Sequence, residues 1–314
     1  MARESKRHHI VPQSYLNRFA VDGSKDKVFT IIKADDGTSF IPANPTNTEK
    51  ICVESDFYSR IAEGRPKDTR IEEMLAVFEY KASSSLLDGI SPNTKHPYNS
   101  GGIAFTPVER SLIVATITMQ LLRGKATRDL ATKYITDEVY LNALSDAKKI
   151  DPDNPLTRKD LEYIKKHKED IKNNAIVEGS TLEVLKDFSK SLIFQNLEAR
   201  NCLLVVNTTS VPFVTSDEPI VIRDGGPEQH RAFSCPLDRP FSQVYFPIDP
   251  AHMIALYTRD MCHGSIGDSG IVAVLNEADI DFINYLNMEQ YYQASRFVIT
   301  NNKTILEQIA RNAV

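Results

Sequence analysis

The sequence contains no tryptophan, and its tyrosines form no regularly spaced series, so nothing in it describes a stacking platform for single-stranded nucleic acid. Cysteine is sparse: Cys52, Cys202, Cys235 and Cys262 are scattered without a close pair. That spacing excludes a C-x-x-C metal knuckle and shows no disulfide framework, which leaves buried free thiols as the reading. No run approaches the roughly 18 apolar residues of a membrane span, and the first nine residues lack the apolar stretch of a secretory signal. A cytoplasmic protein with no membrane partner is expected. The glycine fingerprints G-x-G-x-x-G, G-x-x-x-x-G-K-[S/T] and G-x-S-x-G are all missing, so those nucleotide loops and the serine elbow have no support. One phosphate-cradle candidate is left, the three glycines of Gly264 to Gly270, with a plain flexible turn as the competing reading.

Neither charge sign dominates: 37 basic against 42 acidic residues gives a net charge of -5. A wholly electrostatic grip on nucleic acid is thereby disfavoured, although a local basic groove fits under that total. Hydrophobic residues at 41% and charged residues at 25% are ordinary globular usage, and 314 residues suffice for one elaborate domain of two lobes sharing a core.

Three regions follow one another along the chain. Residues 1–65 read as short strands and turns, with Val28 to Lys33 and Lys50 to Val53 as strands around the turn Asp35-Asp36-Gly37. Residues 66–200 read as helical. Ile71, Leu75, Phe78 and Ala82 recur at helical spacing after an Asp68 cap, in a helix ending near Gly89. Thr106-Pro107-Val108-Glu109 places a cap, an N1 proline and a capping-box carboxylate before an apolar run from Leu112 to Leu122. The charged stretch 145–170 is an exposed excursion with a polar helix from Thr157, and another helix covers Leu182 to Glu198. Residues 201–314 are sheet-rich: Cys202 to Asn207, Pro212 to Thr215, Pro219 to Ile222, Gln243 to Phe246, Met253 to Tyr257 and Phe297 to Thr300 read as strands. Helices over Asp279 to Tyr292 and Lys303 to Arg311 complete the region. Helices gathered before strands predict an α+β fold, a central helical bundle packed on a mixed or antiparallel sheet.

Chemistry is carried by a few polar residues. His8 and His9 are adjacent, so on an extended backbone they face opposite ways and take different roles. Pro12 ends that strand and permits a short helix over Gln13 to Phe19, anchored by Tyr15, Leu16 and Phe19. A His-His pair followed by proline echoes the opening of His-Asn-His nucleases, in which a histidine activates water near a divalent metal. In Thr215-Ser216-Asp217-Glu218-Pro219, hydroxyls and a carboxylate gather at a strand end, where Asp217 can bind metal, orient a histidine or cap its own turn. Gln120 and Arg123 share a face of an apolar helix. The guanidinium there needs either an anionic ligand or a carboxylate such as Glu72, Glu73 or Asp217. His252 and His263 have no i,i+4 ligand partner and read as packed or exposed side chains, and Glu72, Glu73 and Glu79 as surface carboxylates.

Four stretches, His8-His9-Ile-Val-Pro-Gln-Ser-Tyr-Leu-Asn-Arg-Phe-Ala20, Asp56-Phe57-Tyr58, Gln120-Leu-Leu-Arg123 and Pro212-Phe-Val-Thr-Ser-Asp-Glu-Pro219, resemble bacterial domain-of-unknown-function family 4238. The first and last are the specific ones. The family more often has Asn where Glu218 stands, so Asp217 carries over and Glu218 does not. The resemblance implies a bacterial or phage origin and a role in conflict between the two, without assigning an activity.

The residues together predict a nuclease-like phosphodiester hydrolase. His8 or His9 is its base, Asp217 its orienter and Arg123 its phosphate clamp, with Gln13, Gln120, Thr215 and Ser216 about the substrate. A divalent metal held by His9 and Asp217 is the candidate cofactor, and nucleic acid or a small phosphorylated ligand the candidate partner. The alternative is a non-catalytic ligand-sensing or protein-interaction module using the same polar cluster, with a protein partner or a second copy of the chain.

Overall fold

The computed structural model describes residues 7–34, 36–55, 70–82, 101–102, 104–125, 127–129, 157–169, 172, 183–224, 237, 239, 241–262 and 270–313. Several sequence expectations lie outside these residues: Asp56-Phe57-Tyr58, the Asp68 cap, the helix end near Gly89, half of the 145–170 excursion, and Gly264 to Ser269. His96, His230 and His263 lie outside them as well.

In chain order the elements are β1 (Arg7–His9), α1 (Gln13–Leu16), β2 (Lys27–Lys33), β3 (Ser39–Phe40), β4 (Thr46–Asn47), β5 (Val53–Ser55), α2 (Arg70–Ala82), α3 (Pro107–Arg123) and α4 (Arg158–Lys166). There follow α5 (Glu183–Lys186), α6 (Leu192–Glu198), β6 (Asn201–Asn207), β7 (Thr215–Ser216), β8 (Val221–Asp224), β9 (Ser242–Asp249), β10 (His252–Tyr257), β11 (Ile271–Leu275), α7 (Ile280–Gln293), β12 (Phe297–Thr300) and α8 (Lys303–Asn312). The fold is α+β. The sheet resolves into two, each of five strands. One has the order β11-β6-β10-β9-β8 and is antiparallel except where β11 runs parallel to β6. The other, β3-β2-β12-β7 with β4 also on β2, is antiparallel and joins the N-terminal strands to the end of the chain. The short β1 and β5 pair only with each other.

Local chemistry accounts for the boundaries. Thr106 accepts the Glu109 N–H at 3.2 Å while the Glu109 carboxylate accepts the Thr106 N–H at 2.7 Å, so α3 starts on the expected capping box. Its inner face buries Ile113, Val114, Ile117 and Met119. The helix expected over Leu182 to Glu198 is interrupted twice, because Asp187 takes the Ser189 N–H and Ser191 restarts the chain by taking that of Phe194. Lys50 to Val53 is likewise not one strand. Residues Thr48–Lys50 form a 3-10 turn under an Asn47 cap, and Cys52 at φ 53° redirects the chain into β5. Residues 212–214 form no strand, since Asn287 of α7 accepts the Val214 N–H and donates to the Pro212 carbonyl. Gln290 and Gln293 take the carbonyls of Pro219 and Ile220 in the same way, which delays β8 to Val221.

The largest core cluster draws Ile10, Val11, Leu16 and Phe19 from the N-terminus together with Ile71 and Leu75 of α2, Ile117 of α3, Leu204 of β6 and Phe246 of β9. All three sequence regions therefore share one apolar interior.

Candidate functional site

The N-terminal motif is folded into the body of the protein. In β1, His8 stands opposite Glu54 and His9 opposite Val53, and the Ile10 N–H continues the pairing by donating to the Cys52 carbonyl. Adjacent strand residues face opposite ways, and the two imidazoles differ accordingly: His8 is 1% exposed, whereas His9 is half-buried. The Nε2 of His8 lies 3.2 Å from Glu72 Oε2 on α2, so the carboxylate beside His8 is Glu72 and not Asp217.

Pro12 ends this segment and α1 follows, with Tyr15, Leu16 and Phe19 all buried as anchors. The Tyr15 ring stacks on Phe246 of β9 at a centroid distance of 5.1 Å, and its hydroxyl donates to the Pro247 carbonyl at 2.6 Å. That hydroxyl also lies 2.7 Å from Thr215 Oγ1, which joins the N-terminal motif directly to the Ser-Asp turn. Burial pushes the Tyr15 phenol far above its ordinary range, so it remains a neutral hydrogen-bonding group.

A cleft opens between α1, α2, α3 and β9, lined by Ser14, Tyr15, Phe78, Glu79, Gln120 and Arg123 among others. It spans about 400 Å³ including its open mouth, and its enclosed part holds about 30 Å³, room for one small functional group. Arg123 is 4% exposed and forms an ion pair with Glu79 of α2, while its second terminal nitrogen donates to the His9 carbonyl at 2.6 Å. One turn earlier, Gln120 Nε2 donates to the Ile10 carbonyl at 3.2 Å. The carboxylate expected to match Arg123 was Glu72, Glu73 or Asp217; the one found is Glu79.

The Ser-Asp turn meets the same end of α3. Gly124 follows Arg123, and a Cβ built on it would lie 2.6 Å from Glu218 Oε2. Both oxygens of Asp217 accept backbone N–H groups, from Ser295 at 3.0 Å and Arg296 at 2.7 Å, so Asp217 caps the turn between α7 and β12. Burial raises its pKa to about 6, and the backbone amides at 295–297 hold it from rising further. The local cap within the turn is made by Ser216, whose Oγ accepts the Glu218 N–H and contacts Gln290 Oε1 at 2.7 Å. The Cys52 thiol is pushed well up by burial and then by the Asp217 and Glu218 carboxylates.

Of the residues singled out in the sequence, Gln120 and Arg123 line the cleft, His9 meets Arg123 through its carbonyl, and Gln13 has its amide on Thr48 Oγ1 at 3.3 Å. Thr215, Ser216 and Asp217 are tied into the frame. Among the described residues no group of three or more His, Cys, Asp or Glu side chains is arranged to hold a metal. Buried His252 contacts Asp249 at 2.9 Å, and Cys52 and Cys202 are free and buried, in line with the packed roles read for them. Glu79, Phe78, Ser14 and Phe246 were not singled out for the cleft, because only their meeting with α3 in space gives them a role. Glu79 is four residues beyond the buried Leu75, and that periodicity was the one available signal.

The architecture and the cleft define an α+β protein with a solvent-open, largely apolar pocket between helices, into whose wall the side chains of Glu79, Gln120 and Arg123 are set. No described helix is long and apolar enough to cross a membrane. The chain belongs to the family of proteins of unknown function called DUF4238, which it matches over residues 7–304. Neither the curated proteins nor the solved structures include a match to it.

Proposed function

We propose that this protein is a ligand-sensing module whose binding site is the cleft, and that its ligand is a small phosphorylated molecule whose anionic group meets Arg123. One observation carries the reading: a guanidinium only 4% exposed is set in the wall of a cleft that opens to solvent. Guanidinium presents planar donors that suit phosphate or carboxylate; Glu79 is the anion that makes its burial tolerable, and a ligand anion entering from the open side would share the guanidinium with it. Gln120 and Ser14 add polar points, while Tyr15, Phe78 and Phe246 supply flat apolar wall. The small enclosed volume suits an anionic head, with the body of the ligand in the open mouth.

Phosphodiester hydrolysis fits this geometry less well. His8 is sealed from solvent and both Asp217 oxygens are engaged by backbone amides, so neither is placed to meet a substrate. A cytoplasmic setting suits the free thiols of Cys52 and Cys202.

The test is thermal unfolding with inorganic phosphate and with a nucleoside monophosphate. Binding raises the midpoint with ligand concentration. Ser14 is exposed at the mouth, and Ser14→Trp is expected to leave the fold intact and remove the rise. A midpoint indifferent to both compounds in the unsubstituted protein contradicts the proposal.

A further inference from the structure

The cleft residues Gln120 and Arg123 hold the carbonyls of two consecutive residues, Ile10 and His9, at the end of β1. Beyond its own partner β5, this three-residue strand pairs with neither five-stranded sheet, so those two side chains add to the His8–Glu72 contact and the burial of Ile10 in holding it. We propose that the N-terminal strand reports occupancy of the cleft: an oxyanion arriving at Arg123 draws the guanidinium off the His9 carbonyl, and β1 loosens. This inference rests on the ligand reading above and adds the output to it.

The order of events follows from bond strength. Arg123 has two kinds of acceptor, the charged Glu79 carboxylate and the neutral His9 carbonyl. The guanidinium attracts a full negative charge more strongly than the dipole of a neutral carbonyl, so an incoming anion displaces the carbonyl before the carboxylate. Gln120, one turn away on the same face, moves with the lining and releases Ile10. The His8 contact to Glu72 and the Ile10 N–H bond to Cys52 remain, so the strand loosens without leaving its place.

Amide hydrogen exchange of the full chain tests this in two arms. In the first, saturating inorganic phosphate should speed exchange in peptides spanning 7–12 and 50–55 by roughly thirtyfold, the effect of losing two bonds worth about 1 kcal/mol each, while β9 and β10 stay protected. In the second, without ligand, Gln120→Leu should speed the same peptides. If phosphate raises the unfolding midpoint while exchange at 7–12 is unchanged, the cleft reading stands and the coupling is overturned. If phosphate does not bind but Gln120→Leu speeds exchange, the ligand reading has failed and the coupling with it, although the mechanical tie is real. If Gln120→Leu has no effect at 7–12, the tie itself is refuted.

Discussion

The hydroxyl of Tyr15 lies 2.7 Å from that of Thr215, two hundred positions further along the chain. The tyrosine proton is directed to the Pro247 carbonyl, which leaves the threonine as donor to the phenol oxygen. This contact, and not one between an imidazole and Asp217, is where the structure joins the two motifs most directly.

Tyr15→Phe leaves a buried hydroxyl and a buried carbonyl without their partner and should cost roughly 1–3 kcal/mol in urea unfolding. Thr215→Val should cost less, because Tyr15 keeps its bond to Pro247. Combined, the two substitutions should be less than additive, since they share one interaction.

Much of the frame was legible in the sequence and the cleft was not. Thr106, Pro107 and Glu109 announced α3 because a capping box is a local device, complete within four residues. Tyr15, Leu16 and Phe19 announced their burial by spacing alone. The strands over 212–222 were misplaced because Asn287, Gln290 and Gln293 of a helix some seventy residues away take their backbone groups. Strand β11 went unnoticed, although Ile271 to Leu275 is an unbroken apolar run, because a short run of that kind has no diagnostic period. Arg123 was recognisable as a buried cation in need of an anion, yet which carboxylate met it depended on how α2 crosses α3.

Removing one member of the Arg123 and Glu79 pair should be costly. Glu79→Leu leaves a buried guanidinium without its carboxylate and should lower stability by about 3 kcal/mol, while Arg123→Met combined with Glu79→Leu should recover a large part of that loss. Denaturant midpoints of the two variants check this; a double variant less stable than the single one contradicts it.

Asp217 gives a pH dependence of defined sign. Its folded pKa of about 6 lies above the ordinary 3.8, so the native state holds this proton more tightly than the unfolded chain. Its contribution is fully present below pH 3.8 and is lost as pH rises through about 6, a change of about 3 kcal/mol. Asn mimics the protonated carboxyl, so the stability of Asp217→Asn relative to the native sequence should increase between pH 4 and 6. A constant difference over that range would show that the carboxyl titrates normally.

Two glycines should respond unequally to alanine. Gly270 has φ +64°, and a Cβ there would meet the Cys202 backbone oxygen at 2.6 Å, where β11 approaches β6. At Gly124 the obstacle is the end of the Glu218 side chain, which can turn aside. Gly270→Ala should therefore destabilise by more than about 1 kcal/mol and Gly124→Ala by less, as read from thermal midpoints.

Isothermal titration calorimetry with a nucleoside monophosphate tests the cleft most directly, comparing the native sequence with the Arg123→Met, Glu79→Leu double variant. Saturable heat from the native protein and none from a cooperatively folding double variant is the predicted result. Equal binding by both proteins would contradict the assignment of Arg123 as the anion contact.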